Sequence, residues 1–381
     1  MKSIKAFFKY IGIRVLRMIL NFFNLFPIKN NRMMFYSFNG KNYSCNPKCI
    51  SDRLAQEPDI EIYWAFKEPD KFQTGEKIKK VKYRSLKYYY LVKTSRVLVC
   101  NVQGFGELAR RKGQVFIQTW HASNGYKKVG NYTGIARKLN LLGHQDYSYV
   151  LCGAESMVKR RIRGSMGFQG KIIKGTPRMD VLVNMNDDSI VNRIQSDLGY
   201  SPSNKLVLYA PTWRTERDGS EYNLDFNLLR EALSERFGGE WTVAVRLHPN
   251  VRVRPDLSDD NVIDVTDYPD MQELLYTADV LISDYSSCIW DYSFTGRPCL
   301  LYCYDLKEYY SEKSFDLPIE QWGFPICESN NSLAETIRTF DEEKFRASMK
   351  KHHEEMGALE DGKATERVCK IILSILRKGR R

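Results

Sequence analysis

The stretch QTWHASNGYKKVG, residues 118–130, sets a histidine directly after an apolar run and follows it with a small-residue loop and two lysines. An imidazole with an ordinary pKa of about 6.5 can take a proton near neutrality, and adjacent lysines attract phosphate. That is chemistry for a phosphate-handling site; the plainer alternative is a decorated surface loop. Four further motifs mix turn formers with charged or hydroxyl residues: GTPRMD (175–180), APTWR (210–214), RLHPN (246–250) and SDYSSCIWD (283–291). Each is weak alone, because a single histidine at a strand end is more often structural than catalytic. Five motifs that each follow an apolar run define a site once a fold sets those runs side by side.

The elements that would do so are short apolar strands alternating with helical stretches. The first series is MMFYSF, IEIYWAF, RVLVC, VFIQTW, YSYVLC and KIIKG; the second is LVLYAP, WTVAVRLHP, VIDV, DVLISDYSS and CLLYCYD. Such alternation predicts parallel sheets covered by helices on both faces. Two series in 381 residues predict two doubly wound α/β domains, with the ligand at the strand C-terminal ends in the cleft between them. The expected boundaries are 1–28 for an N-terminal helix, 29–195 and 196–345 for the two domains, and 346–381 for C-terminal helices that pack back and end in a basic tail.

Charge separates the ends from the body. The net charge is +12, yet residues 1–32 carry seven Lys and Arg with no acidic residue, and RKGRR closes the chain, so the remainder is nearly neutral. This distribution argues against a nucleic-acid groove and suits an anionic membrane surface. In MKSIKAFFKYIGIRVLRMILNFFNLF, basic residues interrupt the apolar run too often for a membrane span. On a helical wheel Ile4, Phe7, Phe8, Ile11, Val15, Met18, Ile19, Phe22 and Phe26 share one face, opposite Lys5, Lys9, Arg14, Arg17, Asn21 and Asn24. That pattern predicts an amphipathic helix lying in the headgroup plane; the alternative is a helix packed on the protein's own core. The nine cysteines are scattered, several in apolar runs, without CxxC or zinc spacing. The chain is expected to need no metal or cofactor and to work in a reducing, cytoplasmic compartment.

In combination these motifs resemble the CDP-glycerol glycerophosphotransferase family, which builds teichoic acids and whose members share a two-Rossmann GT-B fold. The resemblance runs from about Arg32 to the C-terminus, behind a membrane-binding helix like those of the family. QTWH with its lysines, RLHP, and DYSS with an aspartate downstream carry it most specifically. The family usually has glycine after the active-site histidine, where this chain has Ala122. The resemblance implies a site using Trp120, His121 and the Ala122–Ser123–Asn124 backbone on one side of the cleft, with Arg178 as an added cation. Pro211 and Thr212 would form a turn on the other side, beside Arg246, Leu247, His248, Ser286, Ser287 and Asp291. Chemically, the DYSS hydroxyls could cap a helix facing phosphate, Arg246 could fork onto a diphosphate, and Asp291 could accept from a ribose or glycerol hydroxyl. His121 is the expected general base and His248 a phosphate donor. Lys127 and Lys128 are either phosphate ligands or solvated loop charges; His144 is expected to be structural, and His352 and His353 to be solvated.

The expected reaction is attack by an acceptor hydroxyl on the glycerol-bearing phosphorus of CDP-glycerol, releasing CMP. The acceptor would be an undecaprenyl-diphosphate-linked saccharide at the cytoplasmic membrane face, with the enzyme a peripheral, primase-like protein. Rival readings are a CDP-ribitol-using or polymerising member of the family, a GT-B capsule glycosyltransferase using a nucleotide sugar, and a non-enzymatic membrane scaffold. Oligomeric state is left open.

Overall fold

The structure, a computed structural model, describes residues 2–128, 133–214, 222–248, 251 and 261–378. The chain divides into two compact units: Met1–Ser123, Val129–Asp180 and Leu359–Arg381 form the first, Asn124–Lys128 and Val181–Ala358 the second. It therefore passes into the second unit just after His121, returns, and comes back once more at its end.

The first unit holds a seven-stranded sheet of β1 (Lys29–Tyr36), β2 (Glu61–Phe66), β3 (Ile78–Lys82), β4 (Ser95–Cys100), β5 (Val115–Gln118), β6 (Tyr149–Cys152) and β7 (Lys171–Lys174). All pairings are parallel, in the order β3-β2-β1-β4-β5-β6-β7. Continuous apolar runs suit this setting because helices cover both faces: Met33, Met34, Phe35 and Tyr36 have no exposed surface. The second unit holds β8 (Lys205–Tyr209), β9 (Trp241–Val245), β10 (Val262–Asp264), β11 (Val280–Ser283), β12 (Cys299–Tyr302) and β13 (Ile326–Cys327). Its order is β10-β9-β8-β11-β12-β13, again parallel. In each sheet the order reverses beside the first strand, between β1 and β4 and between β8 and β11. Those switch points are where α/β folds open a crevice beyond the strand ends.

The two ends of the chain complete the first unit. The final helix, Ala364–Lys378, buries Val368, Cys369 and Ile372 in the core with Ile50 and Leu54. Its first N–H groups, on Ala364 and Thr365, donate to the Asp180 carboxylate at 2.9 and 2.7 Å. The preceding helix, Glu342–Met356, stays in the second unit. At the N-terminus, Lys2–Leu20 is one helix docked through Ile13 and Leu20, which are buried, and through Arg17. Arg17 Nη2 donates to the Leu142 carbonyl at 3.1 Å and pairs with Asp146 at 3.0 Å. Ile4, Phe7, Phe8, Ile11, Met18 and Ile19 all remain exposed, Phe8 at 68%. Among the described residues no helix is long and apolar enough to cross a membrane.

Candidate active site

In the first unit, the C-terminal ends of β1, β2, β4 and β5 open onto a cavity of about 520 Å³ that contains His121. The imidazole Nδ1 lies 2.9 Å from the Asn101 carbonyl oxygen. A carbonyl only accepts, so Nδ1 carries the proton and Nε2 keeps its lone pair. His121 is thus held in the tautomer a general base requires. One face of the ring is covered by Trp120, with centroids 4.4 Å apart, and Phe38 lies edge-on at 5.7 Å.

Trp120 is the local constraint. Its φ of 55° puts a bulky residue in the left-handed region, which needs outside support. The Trp120 N–H donates to Gln118 Oε1 at 3.0 Å, and its carbonyl accepts from Asn46 Nδ2 at 3.0 Å. Asn46 is fully buried; it also donates to the Thr119 carbonyl at 3.1 Å and accepts the Arg178 N–H at 2.9 Å. One amide therefore ties the QTWH turn to the GTPRMD turn. Nothing in the pattern SCNPKC marked Asn46, since a buried asparagine in a helix reads as ordinary polar filler.

The GTPRMD turn is itself largely structural. Glu360 accepts from the Thr176 N–H and hydroxyl at 2.8 and 2.6 Å, and Asp180 caps the last helix. Arg178, expected as a cation in the site, is buried and is not among the residues lining the cavity. Gly153, after β6, lets the chain past His121 pack closely, since a Cβ there would meet the Ser123 carbonyl oxygen at 2.7 Å. Ser123 is buried, while Ala122 is partly exposed.

His144, expected to be only structural, lines the same cavity and accepts from Gln103 Nε2 at 2.8 Å. Burial, helped by the nearby Arg161 charge, lowers its pKa to about 4. It stays neutral where His121 would work.

The second unit assembles the other motifs. Thr212 donates through its N–H and its hydroxyl to Asp284, at 2.9 and 2.5 Å, joining the ends of β8 and β11. Pro211 is buried beside it. Arg214 is 6% exposed and bridges Asp284 at 2.9 Å and Asp305 at 2.7 Å, with its second nitrogen 2.9 Å from Asp305. Trp213, the residue between, stacks on the exposed His248 ring at 5.2 Å. Sequence reasoning singled out neither Asp284, Asp305 nor the role of Arg214; a lone arginine after a strand gives no sign of two buried partners.

Other residues depart from expectation. Arg246 donates through Nη1 to the Tyr268 carbonyl at 2.8 Å, and the Leu247 N–H donates to Thr266 Oγ1 at 3.0 Å, so both anchor the loop after β10. Pro249 and Asn250 of RLHPN lie outside the described residues. The helix after DYSS is only Cys288–Tyr292, and Ser287 makes no capping bond; Ser286 Oγ accepts the Cys288 N–H at 3.4 Å. A single turn has little macrodipole to offer phosphate. Asp291 is 1% exposed and accepts from Gln272 Nε2 at 3.2 Å, so it braces the interior rather than facing a ligand hydroxyl.

The loop after His121 is built into this unit. Asn124 is buried, donating to Met356 Sδ at 3.0 Å, and Gly125 sits 4.0 Å from Ser287 Cβ when given a Cβ. The Lys127 ammonium lies over the Tyr309 ring at 5.3 Å, with burial lowering its pKa, whereas Lys128 is exposed. His352 and His353 are not solvated. His352 stacks on Trp290 at 4.6 Å and bonds the Tyr126 hydroxyl at 3.1 Å. His353 stacks on Phe294 at 4.1 Å and meets Ser293 Oγ at 2.8 Å, and burial and His352 lower its pKa to about 4. Among the described residues no cluster of His, Cys, Asp or Glu could hold a metal ion.

Two parallel sheets of this order, each with side chains gathered at its strand C-terminal ends, define a GT-B-like fold. A structure of the wall teichoic acid polymerase TagF, a histidine-to-asparagine variant, superimposes with a TM-score of 0.84 over 99% of this chain and 97% of that one, at 25% identity. A further TagF structure, soaked with CDPG, gives 0.82. Residues 18–374 match the CDP-Glycerol:Poly(glycerophosphate) glycerophosphotransferase family, and the chain belongs to it. It is 30% identical to the teichoic acid glycerol-phosphate transferase of Staphylococcus aureus, over 90% of this chain and 92% of that protein. It is 28% identical to the teichoic acid ribitol-phosphate primase of Bacillus spizizenii, over 93% and 94%. Against the teichoic acid poly(glycerol phosphate) polymerase of Staphylococcus epidermidis, at 28% identity, it spans about half the relative's length (51%).

Proposed function

We propose that this protein transfers glycerol phosphate from CDP-glycerol to a hydroxyl of an undecaprenyl-diphosphate-linked saccharide at the cytoplasmic face of the membrane, where it is peripherally bound. The observation that carries this reading is the His121 Nδ1 bond to the Asn101 carbonyl, which places a proton on Nδ1 and makes Nε2 the basic nitrogen of the neutral ring. The acceptor O–H gives its proton to Nε2 as its oxygen bonds the glycerol-bearing phosphorus. The bond from that phosphorus to the bridging oxygen breaks, and CMP leaves with the electron pair. Such a reaction needs mainly positioning and charge stabilisation. In the second unit the exposed His248, held by Trp213, is the donor to phosphate, with Thr212, Ser286 and Lys127 near the same strand ends.

A primase-like role is the reading favoured by 30% identity to a glycerol-phosphate transferase and 28% to a ribitol-phosphate primase; polymerases, at 28% and 25%, are its rivals. The similar identities to glycerol and ribitol relatives make CDP-ribitol the rival donor. The deciding experiment is mass spectrometry of the product from a lipid-linked disaccharide supplied with CDP-glycerol, CDP-ribitol or nucleotide sugars. One added glycerol phosphate with stoichiometric CMP is the expected result. Addition of ribitol phosphate or a sugar alone would overturn it.

A further inference from the structure

The cavity around His121 is lined by more than the base. Lys9, Lys67, Arg84 and Arg161 all face it, and among the described residues none that line it is acidic. Arg161 lies over the Trp120 ring, its guanidinium carbon 4.5 Å from the centroid. These cations come from separate parts of the chain: the N-terminal helix, the ends of β2 and β3, and the segment after β6. No local sequence pattern groups them.

A second observation marks the cavity as built. Asn39, Arg84 and Trp120 all line it, and all three have left-handed backbones, with φ of 57°, 62° and 55°. Non-glycine residues adopt that conformation only at a cost and cluster where side chains must be aimed. Here the turns after β1, β3 and β5 are each bent at a residue facing the same space. The Asn39–Gly40 turn is further fixed by the Lys67 N–H, which donates to the Gly40 carbonyl at 2.7 Å.

We propose that Lys67, Arg84, Arg161 and Lys9 form an anion subsite for a phosphate ester of the acceptor, beside the hydroxyl that His121 deprotonates. This rests on the reading of His121 as the base. Paired cations bind phosphate through charge-assisted hydrogen bonds, and about 520 Å³ accommodates a phosphate with an attached polyol or sugar. The favoured acceptor then carries phosphate close to its reactive hydroxyl. Because Lys9 lies on the N-terminal helix, that helix contributes directly to acceptor recognition.

The phosphate could be a terminal polyol phosphate or the diphosphate of the lipid carrier. The test uses the full-length protein and the variants Lys67→Gln, Arg84→Gln and both together; the two side chains are exposed, so folding should survive. Steady-state rates are compared for four acceptors: a phosphate-free disaccharide, its glycerol-phosphate-terminated form, its lipid diphosphate, and a molecule with both groups. The double variant should raise KM at least about tenfold for phosphate-bearing acceptors and erase their preference over the phosphate-free one. Whether the terminal phosphate or the diphosphate arm shows the loss identifies the source. Equal KM changes for all four acceptors, or none, would overturn the subsite. Calorimetric titration with sn-glycerol 3-phosphate, without donor, gives an independent readout: binding weakened at least about tenfold in the double variant supports the subsite, and unaltered or absent wild-type binding overturns it. If the wild type releases no CMP from CDP-glycerol, the transferase reading fails while this titration still decides the subsite.

Discussion

Asn46 Nδ2 lies 3.0 Å from the carbonyl oxygen of Trp120, and through that bond a buried amide supports the left-handed residue that covers His121. Asn46 touches no reacting atom in this arrangement; it positions the turn. Asn46→Asp keeps an acceptor for the Arg178 N–H but loses the donor to the Thr119 and Trp120 carbonyls. That variant should lose about 1–3 kcal/mol of stability, the usual cost of unsatisfied buried groups. Its kcat should fall about 10- to 100-fold with KM for CDP-glycerol little changed, as read from steady-state kinetics. A purely structural role would lower the folded fraction without lowering kcat per folded molecule.

His121→Ala should keep the fold and the affinity for CDP-glycerol while cutting turnover about 10²–10⁴-fold. The wild type should lose turnover at low pH through an ionisation that the variant lacks. His144, in the same cavity, cannot supply that limb near neutrality, because burial and Arg161 hold its pKa at about 4. A pH–rate profile of His144→Gln that keeps the wild-type limb would assign the ionisation to His121.

Much of the architecture was legible in the sequence because parallel strands buried on both faces are written as unbroken apolar runs, of which VLVC and CLLY are examples. β3, IKKVK, escaped notice because it lies at a sheet edge, where its lysines reach water and only Ile78 and Val81 are buried. β13 is two residues long and leaves no period to detect. The site divides in the same way. His121 was marked by its place after β5, but Arg246 and Asp291 read as ligands because charge at a strand end looks alike whether it faces a crevice or an internal partner. Asn46, Asp284, Asp305 and the cations around His121 act through tertiary contacts between distant segments, and no spacing rule reports those. His352 and His353 looked solvated because charged neighbours surround them in sequence, while helical periodicity turns them towards Trp290 and Phe294.

His144 also sets how the protein responds to acid. Its folded pKa of about 4 lies below the ordinary histidine value of about 6.5, so between those values the unfolded chain binds a proton that the folded one does not. Stability is fully present above about pH 6.5 and falls as pH drops towards 4, by on the order of 3 kcal/mol from this group. His353, also near 4, acts in the same direction within the second unit. Thermal melts from pH 7 to 4 should show a steep loss in the wild type and a shallower one in His144→Gln. Parallel curves would assign the acid response to other groups.

Arg214 should be the most sensitive residue of the second unit. Its carboxylate partners, Asp284 and Asp305, are 1% and 5% exposed, so removing the guanidinium leaves two buried charges facing each other. Arg214→Ala should cost about 3–5 kcal/mol. Asp284 also holds the Thr212 turn, so donor affinity should fall in the surviving folded fraction. Arg214→Ala with Asp305→Asn should recover part of the stability, measurable by urea denaturation as a non-additive double-mutant cycle. Additive losses would show that the three groups act independently.

The N-terminal helix has one side docked on the first unit and an exposed apolar side opposite charged residues. Ile13 and Leu20 are 7% and 3% exposed and Arg17 pairs with Asp146, so this side holds the helix to the first unit. Phe7, Phe8 and Met18, at 50%, 68% and 67%, turn outwards, and each offers roughly 1.5–3 kcal/mol if buried in lipid. Phe7→Asp with Met18→Asp should release the protein from anionic vesicles in a sedimentation assay while leaving its melting temperature nearly unaltered. Leu20→Asp should do the reverse, lowering the melting temperature by burying a charge without a partner. High salt should weaken the vesicle binding of the wild type only in part, since lysines and arginines supply one component and the apolar face the other. If the Phe7 and Met18 changes unfold the protein, or leave it bound to vesicles, the outward face is not a membrane surface.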